Sequence, residues 1–214
     1  MKMKEVAFLF DKNNDWIFHH IPESILRSKT FKFHTFFEHE KIRSFEIVFV
    51  LGYTKILKEP FLTNNKNIFL VHESNLPSGK GFSPVQWQIL EGKNTIKISL
   101  IKLSQELDGG DIIKQMNMIL DGTELYEEIR LKQATVTFKI IENFLKQYPN
   151  FKSKPQSGKS TFYRKRKIAD SELNINEKLK DLFPLLRIGN NEKWPSFFKF
   201  KGNTYIIKIY KKND

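Results

Sequence analysis

The sequence predicts an α/β fold: an open, mainly parallel sheet that carries a small C-terminal helix and β-hairpin appendage. Three observations point there. Short, continuously apolar runs recur early in the chain, EVAFLF at 5–10, FEIVFVLG at 45–52 and NIFLVH at 67–72. Runs without polar alternation suit strands covered on both faces. Helix-period segments lie among and after these runs, and strands that alternate with helices favour parallel neighbours. Past residue 150 the pattern changes to a polar stretch, a short helix and a hairpin.

Each element has its own signal. Glu5–Phe10 reads as a buried first strand and Phe31–Phe37 as a second with alternating character. Phe45–Gly52 is the strongest strand, being β-branched, aromatic and apolar throughout, and Asn67–His72 is the next. Pro84–Leu90 forms a short helix around Trp87, and Thr95–Leu103 (TIKISLIKL) alternates with period two like a half-exposed strand. Asp121–Gln147 is one long helix, since Leu125, Ile129, Ala134, Phe138, Ile141 and Leu145 recur at helical spacing and Tyr148-Pro149 stops it. Phe151–Arg166, with Pro155, Gly158 and several Ser and Lys, reads as a linker. Asn176–Arg187 follows as an amphipathic helix, then Trp194–Tyr210 as a hairpin turning at Lys201-Gly202-Asn203. The expected division is a catalytic domain over 1–150 and a small subdomain over 151–214.

Composition removes several classes of function. The chain of 214 residues holds no cysteine, so thiolate nucleophiles, disulfides and Cys-ligated zinc are out. No run approaches the roughly 18 apolar residues of a membrane helix, and no signal peptide shows, so a cytoplasmic protein that does not enter the membrane is expected. The net charge of +12 favours anionic partners, but the lysines are scattered and form no stripe. His34, Glu38, His39 and Glu40 make no clear ligand triad, so no metal is expected. Gly158-Lys159-Ser160-Thr161 imitates the end of a P-loop, yet Ser153 stands where the earlier Gly belongs and no strand precedes it.

One stretch carries chemistry. Val71-His72-Glu73-Ser74-Asn75-Leu76-Pro77-Ser78-Gly79-Lys80-Gly81-Phe82-Ser83-Pro84 follows a buried strand, where open α/β sheets place ligand sites. A second loop, Glu106-Leu107-Asp108-Gly109-Gly110-Asp111, follows the next strand. Together the two loops can join His72 to Asp108. This pattern of His-x-Ser-x-Leu-Pro, a basic glycine loop, a Trp-bearing helix and Leu-Asp-x-Gly-Asp resembles the folate-dependent formyltransferases. The matching core covers roughly Phe45–Ile113. The tail, with Tyr163-Arg164-Lys165-Arg166, Asp170-Ser171, Leu186-Arg187 and Trp194-Pro195-Ser196-Phe197-Phe198, is similar to the segment after the catalytic domain in methionyl-tRNA and aminoarabinose-pathway members.

The resemblance implies a Rossmann-like sheet and transfer of a formyl group from 10-formyltetrahydrofolate to an amine. His72 would shuttle the proton and partner the oxyanion, and Asp108 would orient it. The family has Asn two residues before the His where this chain has Leu70. Asn75 is the nearest replacement donor, with Lys80 or a backbone N–H as further candidates. The resemblance also places the folate between main chain at Lys55, Ile56 and Leu57 and main chain at Ser104, Gln105 and Leu107. Ser74, Lys80, Arg164 and Arg166 are its substrate-contact candidates.

The branch with the most similar loop and tail acts on nucleotide-linked amino sugars, in particular UDP-linked 4-amino-4,6-dideoxy sugars of pseudaminic-type pathways. That partner is expected here, nucleic acid is not, and the exposed hairpin edges admit a homodimer. The alternatives are methionyl-tRNA or glycinamide ribonucleotide as acceptor, or a catalytically altered folate- or nucleotide-binding homologue.

Overall fold

The computed structural model describes residues 3–65 and 67–212. Strand β1 (Lys4–Phe10) leads through a 3-10 turn and the one-turn helix α1 (Glu23–Leu26) to β2 (Phe31–Phe36). β3 (Ile47–Leu51), the one-turn α2 (Phe61–Asn64) and β4 (Ile68–His72) follow. Then come β5 (Lys80–Gly81), α3 (Pro84–Leu90), β6 (Thr95–Lys102), β7 (Ile112–Ile119) and α4 (Tyr126–Leu145). The tail holds β8 (Phe162–Tyr163), α5 (Leu179–Arg187), β9 (Ser196–Phe200) and β10 (Asn203–Ile207).

The main sheet has six strands in the order β2-β1-β3-β4-β6-β7. The first four run parallel, while β6 and β7 are antiparallel to their neighbours. The mainly parallel α/β sheet is thus as the sequence implies, with two differences. β7 carries Lys114, Gln115 and Asn117 among its apolar residues, which hides the strand in the sequence; it is an edge strand held by its pairing with β6. The crossovers between the parallel strands hold only short 3-10 segments and one-turn helices, so cover on one face is left chiefly to α4.

Side-chain parity sorts the core into two layers. Phe8, Phe49, Phe69 and Val71 face α4, where they meet Phe138, Ile141 and Phe144. The Phe69 and Phe144 ring centroids lie 4.6 Å apart. Burying a Phe of this kind contributes about 2–3 kcal/mol relative to leaving it exposed. Ala7, Leu9, Val48, Val50 and Ile68 face the other way, under Ile42 and Phe61. Leu70 belongs to this second face, against Leu76, Ile101 and Ile112. By the same parity His72 lies beyond Leu70 on the second face and Glu73 points toward α4, where its Oε1 accepts from Gln133 at 2.7 Å.

The tail is tied to this frame. Arg187 on α5 is buried, donates from Nε to the Glu124 carbonyl at 2.9 Å, and pairs through Nη2 with the buried Glu124 carboxylate at 2.8 Å. Glu124 also accepts from the Asp121 and Gly122 amides ahead of α4. Burial pushes the Glu124 carboxyl up, but the hydrogen bonds from Lys132 and these amides outweigh it and hold the group below its ordinary value. The hairpin β9–β10 turns at Lys201 and Gly202, both at positive φ, as a two-residue loop matched to strand twist requires.

Candidate active site

His72 ends β4 and is 5 % exposed. Its Nε2 lies 2.8 Å from the Gly79 carbonyl oxygen. A carbonyl only accepts, so Nε2 carries the hydrogen and Nδ1 is the ring atom left to take up a proton. Nδ1 lies 3.6 Å from Asp108 Oδ2. That same oxygen accepts from the Gly81 amide at 2.8 Å. One three-residue stretch, 79–81, therefore holds the imidazole at one end and the carboxylate at the other.

Asp108 reaches this place by an indirect route. β6 runs antiparallel to β4, with Lys102 opposite Phe69, so the loop after β6 starts near the beginning of β4. The Leu103 amide donates to the Ile68 carbonyl. Four residues of strand, about 13 Å at 3.3 Å each, separate Ile68 from His72. The loop covers that span by folding back along the second face of the sheet. Asp108 takes φ of +49°, which an Asp tolerates better than most residues. Gly110 is packed so closely that a Cβ there would lie 1.6 Å from the Lys102 carbonyl oxygen.

The segment read from sequence as a linker closes the site. Lys154 exchanges both backbone hydrogen bonds with Ile112. Gln156 Nε2 donates to the carbonyls of Asp108 and Gly110, at 2.7 and 2.8 Å. β8 pairs in parallel with β5, the short strand inside the His72 loop. Its Pro, Gly and Ser residues signal a lack of regular structure, and that is compatible with binding to other loops. Gln156 and Thr161 are thus site residues that the sequence did not single out; the basic glycine loop that they hold, with Gly79 and Gly81, was the visible sign.

The remaining sequence candidates divide. Ser74 is buried, its carbonyl accepts from Ser99 Oγ at 2.7 Å, and its own Oγ has no hydrogen-bond partner among the described residues. Asn75 is exposed, with its Oδ1 3.5 Å from Gln115 Nε2. Lys80 is buried and bridges the two loops through Glu106, Nζ to Oε1 at 2.6 Å. Ser104 and Gln105 line a cavity of about 170 Å³ with Glu59, Leu62, Asn65 and Ile68. The Asn65 Oδ1 is buried without a hydrogen-bond partner among the described residues. Lys55 and Ile56 are exposed, Leu57 is half-buried and Leu107 is exposed. Arg164 and Arg166 instead flank Trp87, 4.8 and 5.8 Å from its ring centre. Arg164 grips Asp170 with two hydrogen bonds and holds its carboxyl far below the usual range. Burial lowers the Arg166 guanidinium and raises the Tyr163 hydroxyl, which donates to Glu91 at 2.8 Å. Among the described residues no group of three His, Asp or Glu could hold a metal ion. None of their helices is long and apolar enough to cross a membrane.

A buried imidazole with one free ring nitrogen beside a carboxylate can pass a proton between two reacting groups. Comparison with known proteins gives the family. A methionyl-tRNA formyltransferase from Finegoldia magna is 28 % identical over 173 residues, which cover 78 % of this chain and 54 % of that protein. The chain thus spans about half the length of the curated relative. In fold it is similar to a sugar N-formyltransferase from Shewanella sp., with a TM-score of 0.68, 14 % identity and 99 % of each chain covered. It is also similar to HypX from Aquifex aeolicus in complex with tetrahydrofolic acid, with a TM-score of 0.75 and 13 % identity over 97 % of this chain and 38 % of that one. The formyl transferase pattern matches residues 7–143, a stretch that includes both loops and the strands that carry them. The chain belongs to the formyl transferase family.

Proposed function

We propose that this chain transfers the formyl group of 10-formyltetrahydrofolate to the amine of a nucleotide-linked amino sugar, of the UDP-4-amino-4,6-dideoxy class. The observation that carries the transfer is the buried His72–Asp108 pair, fixed by the 79–81 backbone with Nδ1 free. The donor supplies an activated formyl carbon. A new bond joins the acceptor nitrogen to that carbon while the carbon–N10 bond breaks. His72 Nδ1 takes the proton that the amine sheds and returns it to N10, and Asp108 stabilises the imidazolium in between. Both buried groups work where water is excluded, so the proton has few competing routes.

The residues present fit the donor. The 170 Å³ cavity at the start of β4 is smaller than the roughly 300–1,000 Å³ of sites that enclose a drug-sized ligand. It suits one ring end, with Asn65, Ser104 and Gln105 among its polar lining. The rest of the donor would lie along main chain at Lys55–Leu57. The likeness in fold to a sugar N-formyltransferase supports the acceptor. Sequence similarity to methionyl-tRNA formyltransferases and the +12 charge favour a second reading, methionyl-tRNA as acceptor.

Mass spectrometry separates the two. The protein is mixed with 10-formyltetrahydrofolate and, in turn, UDP- and dTDP-linked amino sugars, the same sugars without nucleotide, and methionyl-tRNA. Formyl gain on one nucleotide sugar, abolished in His72→Ala, is the expected result. Gain on methionyl-tRNA alone moves the assignment to the second reading. Donor binding without transfer to any of these overturns both.

A further inference from the structure

We propose that residues 154–163 act as a strap that positions the catalytic pair, with Thr161 and Gln156 as positioning residues for His72 and Asp108. The inference rests on the proposed function for its activity readout, but its structural basis is separate. Thr161 Oγ1 accepts from the Gly79 amide at 2.8 Å, and the Thr161 carbonyl accepts from the Lys80 amide at 2.9 Å. The Tyr163 carbonyl accepts from the Phe82 amide at 3.0 Å. Residues 79, 80 and 82 of the loop are thus hung on the strap, and Gly79, the residue whose carbonyl receives His72 Nε2–H, has its amide held by the Thr161 side chain. The strap also holds the other partner, since Gln156 Nε2 donates to the Asp108 carbonyl and to Gly110.

Close packing makes the arrangement tight. A Cβ on Gly81 would lie 2.4 Å from the Tyr163 carbonyl oxygen, and one on Gly79 would lie 2.9 Å from the Tyr163 ring. Both glycines take positive φ. The loop therefore approaches the strap as only glycine allows. If the strap backs away, the Gly79 carbonyl loses its direction, His72 loses the bond that fixes Nε2–H, and Nδ1 no longer faces both Asp108 and the substrates. Misplacement of about 1 Å is enough to slow a positioned reaction up to about a hundredfold.

The test uses Thr161→Val, Thr161→Ser and Gln156→Ala in the full chain. Valine keeps the branched Cβ and leaves the backbone bonds of residue 161 in place, so it removes only the hydroxyl, with its bond from the Gly79 amide and its 3.1 Å contact to the Ser78 hydroxyl. The readouts are kcat and KM for formyl transfer, and the tautomer of His72 from its ring nitrogen NMR signals, which are assignable because the chain has five histidines. In the unmodified protein His72 is expected as the Nε2–H form. In Thr161→Val both tautomers appear, kcat falls between about tenfold and a hundredfold, and KM for the donor stays within about twofold. Thr161→Ser restores the tautomer and most of kcat, and Gln156→Ala lowers kcat without moving KM. His72 signals unchanged in Thr161→Val overturn the proposal, whether or not kcat falls, and so does kcat within about twofold in both loss variants. If no variant and no unmodified protein transfers formyl, yet the His72 signals move in Thr161→Val, the strap stands and the formyl-transfer reading fails.

Discussion

Asp108→Asn separates charge from architecture at the site. The side chain accepts from the Gly81 amide, its backbone sits at φ of +49°, and its carbonyl receives Gln156. Asparagine can do all three, because it keeps an acceptor oxygen and tolerates positive φ. What it cannot do is carry a negative charge 3.6 Å from His72 Nδ1. A hydrogen bond to a charged acceptor contributes about 1.5–3 kcal/mol and a neutral one about 0.5–1.5, so stability falls by about 1 kcal/mol. For a chain of this size that lowers the melting midpoint by about 2–4 °C. Turnover falls much further, by about 10²–10⁴-fold, the range associated with acid–base assistance. Asp108→Ala differs in kind. It leaves the Gly81 N–H without its acceptor, at about 1–3 kcal/mol, and puts alanine at positive φ, at about 1–2 kcal/mol. The midpoint then drops by about 4–20 °C. Scanning calorimetry measures the stability effects and the formyl-transfer assay the turnover. If Asp108→Asn keeps turnover within about threefold while Asp108→Ala loses it, the carboxylate only shapes the loop and the proton-transfer role assigned to it is wrong.

Two predictions concern the tail. Arg187→Met leaves the Glu124 carboxylate buried without its guanidinium, with both side chains under 5 % exposed; breaking such a pair costs about 3–5 kcal/mol, a midpoint drop of about 6–20 °C, and adding Glu124→Gln should recover part of it. Calorimetry that finds Arg187→Met within about 2 °C of the parent refutes this. The second is a pH effect. Arg164 holds the Asp170 carboxyl far below its ordinary value of about 3.9, so the folded state binds that proton more weakly than the unfolded state. The resulting stability is complete above about pH 4 and is lost as pH falls through the folded value. The depth of the depression suggests a large contribution, but the Arg164 side chain is 57 % exposed and solvent screening keeps it under about 1 kcal/mol. In denaturant titrations, Arg164→Gln should match the parent's slope of stability against pH above pH 5 and show a shallower fall below pH 4; equal slopes there would show that the pair has no part in acid stability.

Apolar continuity made β1, β3 and β4 legible, because strands buried on both faces need no polar positions. α4 was legible through its spacing, apart from Gln133, whose burial depends on a hydrogen bond to Glu73 that no local pattern announces. β7 was not, since its polar residues break both periods and only pairing with β6 makes it a strand. The two loops that meet at His72 and Asp108 stood out by composition, but the path between them did not. Strand direction decides that path, and the antiparallel turn at β6 sends Asp108 back over the sheet face.

Leu70 shows how the same parity bears on the chemistry. It sits two residues before His72 on the same face, where an amide would point toward the pair. Here that position packs on Leu76, Ile101 and Ile112. An asparagine placed there alone would set a polar amide against that apolar cluster and lose the half-buried leucine's contacts. The substitution is therefore part of a consistent apolar layer beneath the site and not an isolated loss, and a donor to a developing oxyanion has to come from above that layer. Asn75 is exposed there with its Oδ1 turned to Gln115, which leaves its Nδ2 hydrogens unused; Lys80 is spent on Glu106. Of the two side chains the sequence offered for this role, Lys80 would first have to break its ion pair with Glu106, whereas Asn75 has no ion pair to break.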